Sequence, residues 1–246
     1  MVDRVYPFCN TEEMQRNLVG GAYWHGNMED MRRWNVENVD IWWCGRTPLM
    51  LAVSNGRVHQ VELLLQCNAN VSARTERGET PLHFTAASVV NGTEVVMLLI
   101  DAGADTSAID RNGMTPLMMA ARESEGDPMV LDVLILNGAS VNHRTRNGWT
   151  ALHFAAHDGS PEAVRILLEH GADVMAVSKG GRTVHDMTQN QFVENYKPEI
   201  RALVEAEIDR VRNTAFAMGQ HERLGEKCLV RALHSEVVRM ILHPGT

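Results

Sequence analysis

The chain has 246 residues, of which 44% are hydrophobic and 22% charged, and its formal net charge is -8. This composition is ordinary for a globular protein and argues against a binder of nucleic acid or anionic membranes, because both partners require a basic face. The longest uninterrupted apolar run, residues 95–100, is far shorter than the roughly 18 to 20 residues that span a bilayer, and the N-terminus lacks a signal-peptide core. We therefore expect an intracellular chain, cytoplasmic or nuclear, without a membrane partner.

The first 42 residues predict a polar unit. A turn glycine, Gly26, lies between two helix-like flanks that carry charged residues where the units further along the chain have leucine. A wet outer face is typical of the end of a repeat array. We interpret residues 1–42 as a degenerate N-terminal capping repeat.

One short pattern then recurs along the chain. It reads GRTPLM at Gly45, GETPLH at Gly78, GMTPLM at Gly113, GWTALH at Gly148 and, more weakly, GRTVHD at Gly181. The spacings of 33, 35, 35 and 33 residues indicate a solenoid of stacked units. Each pattern predicts a turn glycine, a threonine as helix N-cap, and a helix that in three units begins with proline.

A second helix is predicted in each unit from an apolar segment that ends near glycine. In the fourth unit, after the polar break HDGSPE, apolar residues recur with helical spacing at Val164, Ile166 and Leu167. Gly171 follows them as a C-cap. The pattern therefore predicts two helices per unit.

The motifs TPLH, paired alanines, LL and GAD at these offsets resemble the ankyrin repeat. The resemblance implies an all-α solenoid of stacked helix-turn-helix units with projecting β-hairpin-like loops. It places four repeats over residues 43–178 and a C-terminal capping repeat over residues 179–213. Extra residues in the segments ASVVNGTE and RESEGDPM are interpreted as tolerated insertions on the side away from the loop tips.

The sequence predicts no catalytic site, no cofactor and no metal. His83 and His153 occupy the TPLH and TALH positions, where the resemblance implies a hydrogen bond to backbone in the neighbouring turn. His221 and Cys228 are close in sequence, but a zinc site would need two further ligands. No phosphate-binding glycine loop, nucleophile elbow or carboxylate pair is recognisable. We therefore expect a protein that is not an enzyme.

The resemblance implies that a partner protein contacts the loop tips and the exposed face of the first helices. The candidate residues at these positions are Trp43, Arg46, Arg77, Glu79, Arg111, Met114, Met119, Arg122, Arg146, Trp149, His157 and Lys179. Either the tips form an ordinary solvated row, or they form a basic edge that receives an acidic or phosphorylated segment. Monomers are expected.

Two tryptophans are the predicted anchors of this surface. Trp43 and Trp149 lie near the tips. The repeat pattern identifies no packing role for Trp149, so its ring is expected either to contact a partner or to lie across the neighbouring tip. Buried tryptophan and arginine dominate many interfaces. Phe84 and Phe154 either form the floor of the same surface or pack between repeats.

Residues 214–246 leave the repeat pattern and end near the segment LHSEVVRMIL. Its residues Leu233, Glu236, Val237, Ile241 and Leu242 are similar to the opening of an F-box, whose family docks onto a cullin ubiquitin-ligase adaptor. His234 replaces the usual proline. The segment is then either an adaptor-docking helix of a ubiquitin-ligase substrate receptor or a helix that covers the end of the stack. A third alternative is a steric regulator of an enzyme.

Overall fold

The computed structural model describes residue 40 and residues 45–87, 91–123, 127–158, 160–188 and 198–221, except the side chains of Ala87 and residues 215–221. In chain order its helices are α1 Pro48–Ser54, α2 Val58–Gln66, a 3-10 helix Pro81–Ala87, α3 Gly92–Asp101, α4 Pro116–Arg122, α5 Met129–Leu136, α6 Ala151–His157, α7 Pro161–Glu169, α8 Val184–Thr188 and α9 Pro198–His221. Among the described residues, Val177 and Thr183 form an isolated antiparallel β-bridge.

The helices form two layers. The first helices of the units, α1, the 3-10 helix, α4, α6 and α8, pack against one another in chain order and form the inner layer. The second helices, α2, α3, α5, α7 and α9, form the outer layer in the same way, and each packs on the first helix of its own unit. The predicted all-α stack of paired helices is confirmed.

The inner helices begin where threonine caps them. The Thr47 Oγ1 atom accepts a hydrogen bond from the Met50 amide at 3.3 Å, and Thr115 caps α4 in the same way through the Met118 amide. Proline follows both threonines, where its missing N–H costs nothing. Local chemistry therefore sets the start of these helices.

The second unit differs from the others because its first helix is of the 3-10 type. The His83 amide donates to the Thr80 carbonyl three residues earlier, at 2.9 Å. The Thr85 Oγ1 hydroxyl donates to the Leu82 carbonyl at 2.8 Å. Both bonds span three residues, the spacing of the tighter 3-10 winding.

Leucines from every unit form the continuous core between the layers. Leu49, Leu82, Leu117 and Leu152, one from each TPL or TAL motif, are completely buried. Each fully buried leucine side chain contributes roughly 1.5 to 3 kcal/mol relative to an exposed one. The core is therefore a repeated structure with the period of the sequence.

The ends of the outer helices repeat a left-handed residue. Gly171 has φ +77° immediately after α7 and its C-cap residue, as predicted, and Asn68 takes the same place after α2 with φ +59°. Asparagine is one of the few residues with a side chain that adopt this conformation readily. The first unit therefore ends its outer helix with the same left-handed conformation although it has no glycine there.

Hydrogen bonds between units set their register. The Asp127 Oδ2 atom accepts from the Thr93 amide at 3.3 Å, which joins the start of α5 to the start of α3. The Asn142 Oδ1 atom accepts from the Asp173 amide at 2.8 Å. The Asp40 carboxylate makes a similar bond to the Asn70 amide at 3.0 Å. The inter-repeat bonding thus extends upstream of the first described helix.

The last helix, α9, is 24 residues long, whereas α7 has 9. Ile200 and Val204 are buried in its first turns, and partly exposed ion pairs such as Arg201–Glu205, at 2.8 Å, lie on its surface. The second helix of the last unit is therefore much longer than that of the fourth unit and carries several charged pairs. None of the described helices combines the length and apolar composition needed to cross a membrane.

Candidate binding surface

The loops that precede the inner helices are tight turns held by their own polar groups. In the third unit the Asp110 Oδ1 atom accepts from the amides of Asn112 and Met114, at 2.8 and 2.7 Å. In the fourth unit the Thr145 Oγ1 atom accepts from the Trp149 amide at 3.0 Å. The polar groups of the turn backbone are hydrogen-bonded within the turn, so most tip side chains are not needed to stabilise it.

Successive tips contact one another through the backbone. The Arg111 amide donates to the Arg77 carbonyl at 2.8 Å, and the Lys179 amide donates to the Asn147 carbonyl at 2.9 Å. Gly148 has φ +79°, and a Cβ atom there would lie 2.9 Å from the Lys179 nitrogen. Glycine is therefore required both by its conformation and by the approach of the next tip.

We call the residues Arg77, Arg111, Arg146 and Lys179 the tip row. All four are exposed, and none forms an ion pair with a carboxylate in the described ranges. The Arg146 amide donates to the Asn112 carbonyl at 3.1 Å, which completes the chain of contacts between the tips. The tip row therefore presents four exposed cations that form no ion pair within the described ranges, on a chain of net charge -8.

Trp149 packs against the helix that follows it. Its ring centroid lies 5.0 Å from that of Phe154, 5.8 Å from that of His157 and 6.0 Å from that of His153. The indole is half-buried. The expectation that Trp149 has no packing role is therefore wrong, because its own repeat covers one part of the ring and leaves the rest exposed.

A local signal for this contact is present in the sequence. Thr150 is the N-cap of α6, so Trp149 precedes the cap and Phe154 is the fourth helical residue. An apolar pair at these two positions is a hydrophobic staple, which fixes the angle at which the chain enters the helix. Met114 and Met119 occupy the same two positions around Thr115.

The two histidines of the TPLH and TALH motifs are buried and structural. The Nδ1 atom of His83 accepts from the Thr80 amide at 3.1 Å, and its Nε2 atom lies 3.1 Å from the Met114 carbonyl of the next unit. His153 bonds Thr150 and the Arg182 carbonyl in the same way. Burial lowers the pKa of both imidazoles, since the charged form loses its solvation. The expected bond to the neighbouring turn is present in both cases.

Several other predicted residues have contacts within the fold. The Arg46 guanidinium carbon lies 4.5 Å from the centroid of the Phe84 ring, a cation–π contact that joins the first two units. Phe84 is buried, so it packs between repeats. The Thr75 hydroxyl donates to the Glu79 carboxylate at 3.0 Å. Only 8% of Met114 is exposed, so this side chain belongs mainly to the core.

The remaining predicted residues lie on the inner helices or outside the described residues. Met119 and Phe154 are half-buried, and Arg122 and His157 are exposed. His157 pairs with Asp158. Outside the described residues lie Trp43, Leu233, Glu236, Val237, Ile241 and Leu242. Within the described ranges, no three His, Cys, Asp or Glu side chains are placed to hold a metal ion.

The comparison with known families agrees with this geometry. The family model described as ankyrin repeats in three copies matches residues 21–110, 49–144, 85–178 and 117–213. A search of curated proteins found no match. The family matches cover well over half of the chain, and the paired helices, capped by threonine and joined by contacting tips, lie within them. The chain therefore belongs to the ankyrin-repeat family.

Proposed function

We propose that the protein is a non-catalytic binding module that holds an acidic or phosphorylated segment of another protein. Ankyrin repeats are generally protein-protein interaction modules. The observation that carries the finer proposal is the tip row, whose four cations are exposed and have no carboxylate partner in the described part of the chain. Carboxylates and phosphates are the groups that arginine binds most strongly, through paired N–H donors.

The inner helices beside the tip row supply an apolar anchor site. Met119, Trp149 and Phe154 are half-buried, so each retains apolar area that a partner can cover. Arg122 and His157 are exposed nearby on the same helices. Tryptophan, methionine and arginine are enriched where interfaces bury most of their area. We expect the bound segment to carry a bulky apolar residue among its acidic ones.

The two parts of this surface have different roles in the proposal. Cations that project from fixed turns accelerate association and make it sensitive to salt, whereas the anchor slows dissociation. The backbone of the tips needs no rearrangement, because the bonds between successive turns already hold it. The surface is thus preorganised for an extended partner that runs along the stack.

The proposal is tested with a fluorescent peptide of glutamates that carries one central phenylalanine. The double variant Arg111→Glu and Arg146→Glu should weaken binding by about tenfold or more and flatten its salt dependence. A matched double variant on the outer layer and last helix, Arg165→Glu and Arg212→Glu, makes the same change in net charge away from the tips. Equal weakening by both would show that only net charge matters and would contradict the proposal.

The two alternative functions proposed from the sequence, a ubiquitin-ligase receptor and an enzyme regulator, need experiments of their own. A ubiquitin-ligase receptor needs residues 233–242, which lie outside the described residues. Removal of residues 219–246 should abolish recovery of cullin components from pull-downs if that function is correct. A steric enzyme regulator would use the same inner surface. A cytoplasmic or nuclear location and a monomeric state remain part of the proposal.

A further inference from the structure

The outer layer carries exposed apolar side chains that its packing does not require. On the outer helices of the described residues, these are Met97 of α3 and Met129 and Leu136 of α5, with 53%, 54% and 76% of their surface exposed. Met129 and Leu136 are seven residues apart, two helical turns, and therefore lie on one face of α5. We call these three residues the outer patch.

The other units show that the fold does not require apolar residues at these positions. Alignment of the units on Asn68, Gly103, Gly138 and Gly171 places Leu136 level with Gln66, Asp101 and Glu169, and Met129 level with His59, Glu94 and Glu162. All six equivalents are polar and exposed. The third unit alone of these four carries apolar residues at both positions.

The outer patch has an acidic rim. The Thr93–Asp127 bond aligns the start of α3 with that of α5, and the Asp132 carboxylate and His170 Nε2, 2.8 Å apart, join α5 to the end of α7. On the neighbouring helices, the four exposed carboxylates that flank the patch are Glu94, Asp101, Glu162 and Glu169. Arg165, the cation among them, already pairs with Glu162 at 3.1 Å.

The negative charge of the rim decides which kind of partner the outer patch can bind. A second copy packed face to face with its α5 antiparallel would bring the α3 helices of the two molecules, with Glu94 and Asp101, against each other, and likewise the α7 helices, with Glu162 and Glu169. Like charges that face each other across an interface disfavour such a dimer. A helix with apolar residues on one face and lysine or arginine beside them meets both the patch and the rim.

We propose that the outer patch binds a basic amphipathic helix of a partner protein. Apolar residues of that helix, spaced by three, four and seven positions, would cover Met129 and Leu136. Its cations would pair with the acidic rim. Because the tip row lies on the loops of the other layer, the module would hold two partners of opposite charge, one on each side of the stack.

The test uses the full chain and two synthetic helical peptides, one of leucine and lysine with leucines at those spacings and one with glutamine in place of lysine. We expect the wild-type protein to bind the leucine–lysine peptide at least tenfold more tightly, by titration calorimetry. The double variant Met129→Glu and Leu136→Glu, which introduces the residues of the fourth unit, should lose at least tenfold of that affinity.

The outcomes are distinct because the double variant is more acidic than the wild type. If attraction of net charge alone held the basic peptide, the double variant would bind it more tightly, and the proposal would be overturned. Equal affinity for both peptides would also overturn it, as would wild-type dimers that Leu136→Glu disperses in sedimentation. The milder Leu136→Gln, the residue of the first unit, should weaken binding with an unchanged urea midpoint.

Discussion

The tip row and the outer layer are built from the same repeats and have opposite electrostatic character. At the tips the backbone is fixed by turn bonds, and Arg111 and Arg146 project without a carboxylate partner in the described ranges. On the outer layer and the last helix, charges one helical turn apart neutralise each other, as in Arg165–Glu162 and Arg201–Glu205. A cation on a helix can pair with a carboxylate three or four residues away, whereas the tip-row cations have no such helical neighbour. The tip-row cations are therefore more available to an acidic partner than Arg165 or Arg201.

A glycine substitution at a tip should have the largest effect on stability. Gly148→Ala imposes a side chain at φ +79° and places its Cβ atom 2.9 Å from the Lys179 nitrogen, so we expect a loss of about 2 to 3 kcal/mol in unfolding free energy. Gly171→Ala, at the end of an outer helix with φ +77° and no atom within 4 Å, should lose only about 1 kcal/mol. Urea unfolding measures both. Equal losses would show that contact between tips contributes nothing beyond backbone strain.

The next effect concerns apolar residues on the two sides of the stack. Trp149→Ala removes a half-buried ring that packs on Phe154, and we expect it to cost about 1 to 2 kcal/mol of unfolding free energy. Leu136→Ala on the outer patch should change it by less than about 0.5 kcal/mol, since 76% of that side chain is exposed. If the two variants unfold at the same urea concentration, the staple is energetically irrelevant, and Trp149 would have to be explained by a partner alone.

The smallest effect is the pH dependence of the inner layer. Burial lowers the pKa of His83 and His153 below 6.5, so between the lowered pKa and pH 6.5 the unfolded chain binds more protons than the folded one. Their contribution to stability is complete above about pH 6.5 and is lost as the pH falls through the folded pKa. The variant His83→Met with His153→Met should therefore lose less stability between pH 7 and pH 5 than the wild type.

Methionine is a matched replacement because Met50 and Met118 occupy the same position in the first and third units. Carboxylates that titrate in this range are common to both proteins and cancel in the difference. The measurement is the urea midpoint at each pH. Parallel curves for the two proteins would mean that neither histidine couples folding to protonation.

Much of the local structure was predictable because each unit carries its own helix-capping and turn residues. Thr47 and Thr115 cap their helices, and Gly171 ends its helix in the left-handed region. These features depend on residues within four positions of one another. The 3-10 winding at Pro81–Ala87 was not predicted, because the same TPLH motif is compatible with either helix type until the bonds of Thr85 and its neighbours are known.

The sequence by itself determined the period, the helix pairs and the positions that the repeat leaves free, because turn and cap chemistry acts over a few residues. Only the tertiary structure decided what the side chains at those positions contact. Residues about one repeat apart meet through stacking, which placed Arg46 over Phe84 and set the tips against one another. The same stacking left Leu136 exposed beside the Asp132–His170 pair. Such contacts depend on the register between units, and no short stretch of sequence contains both partners.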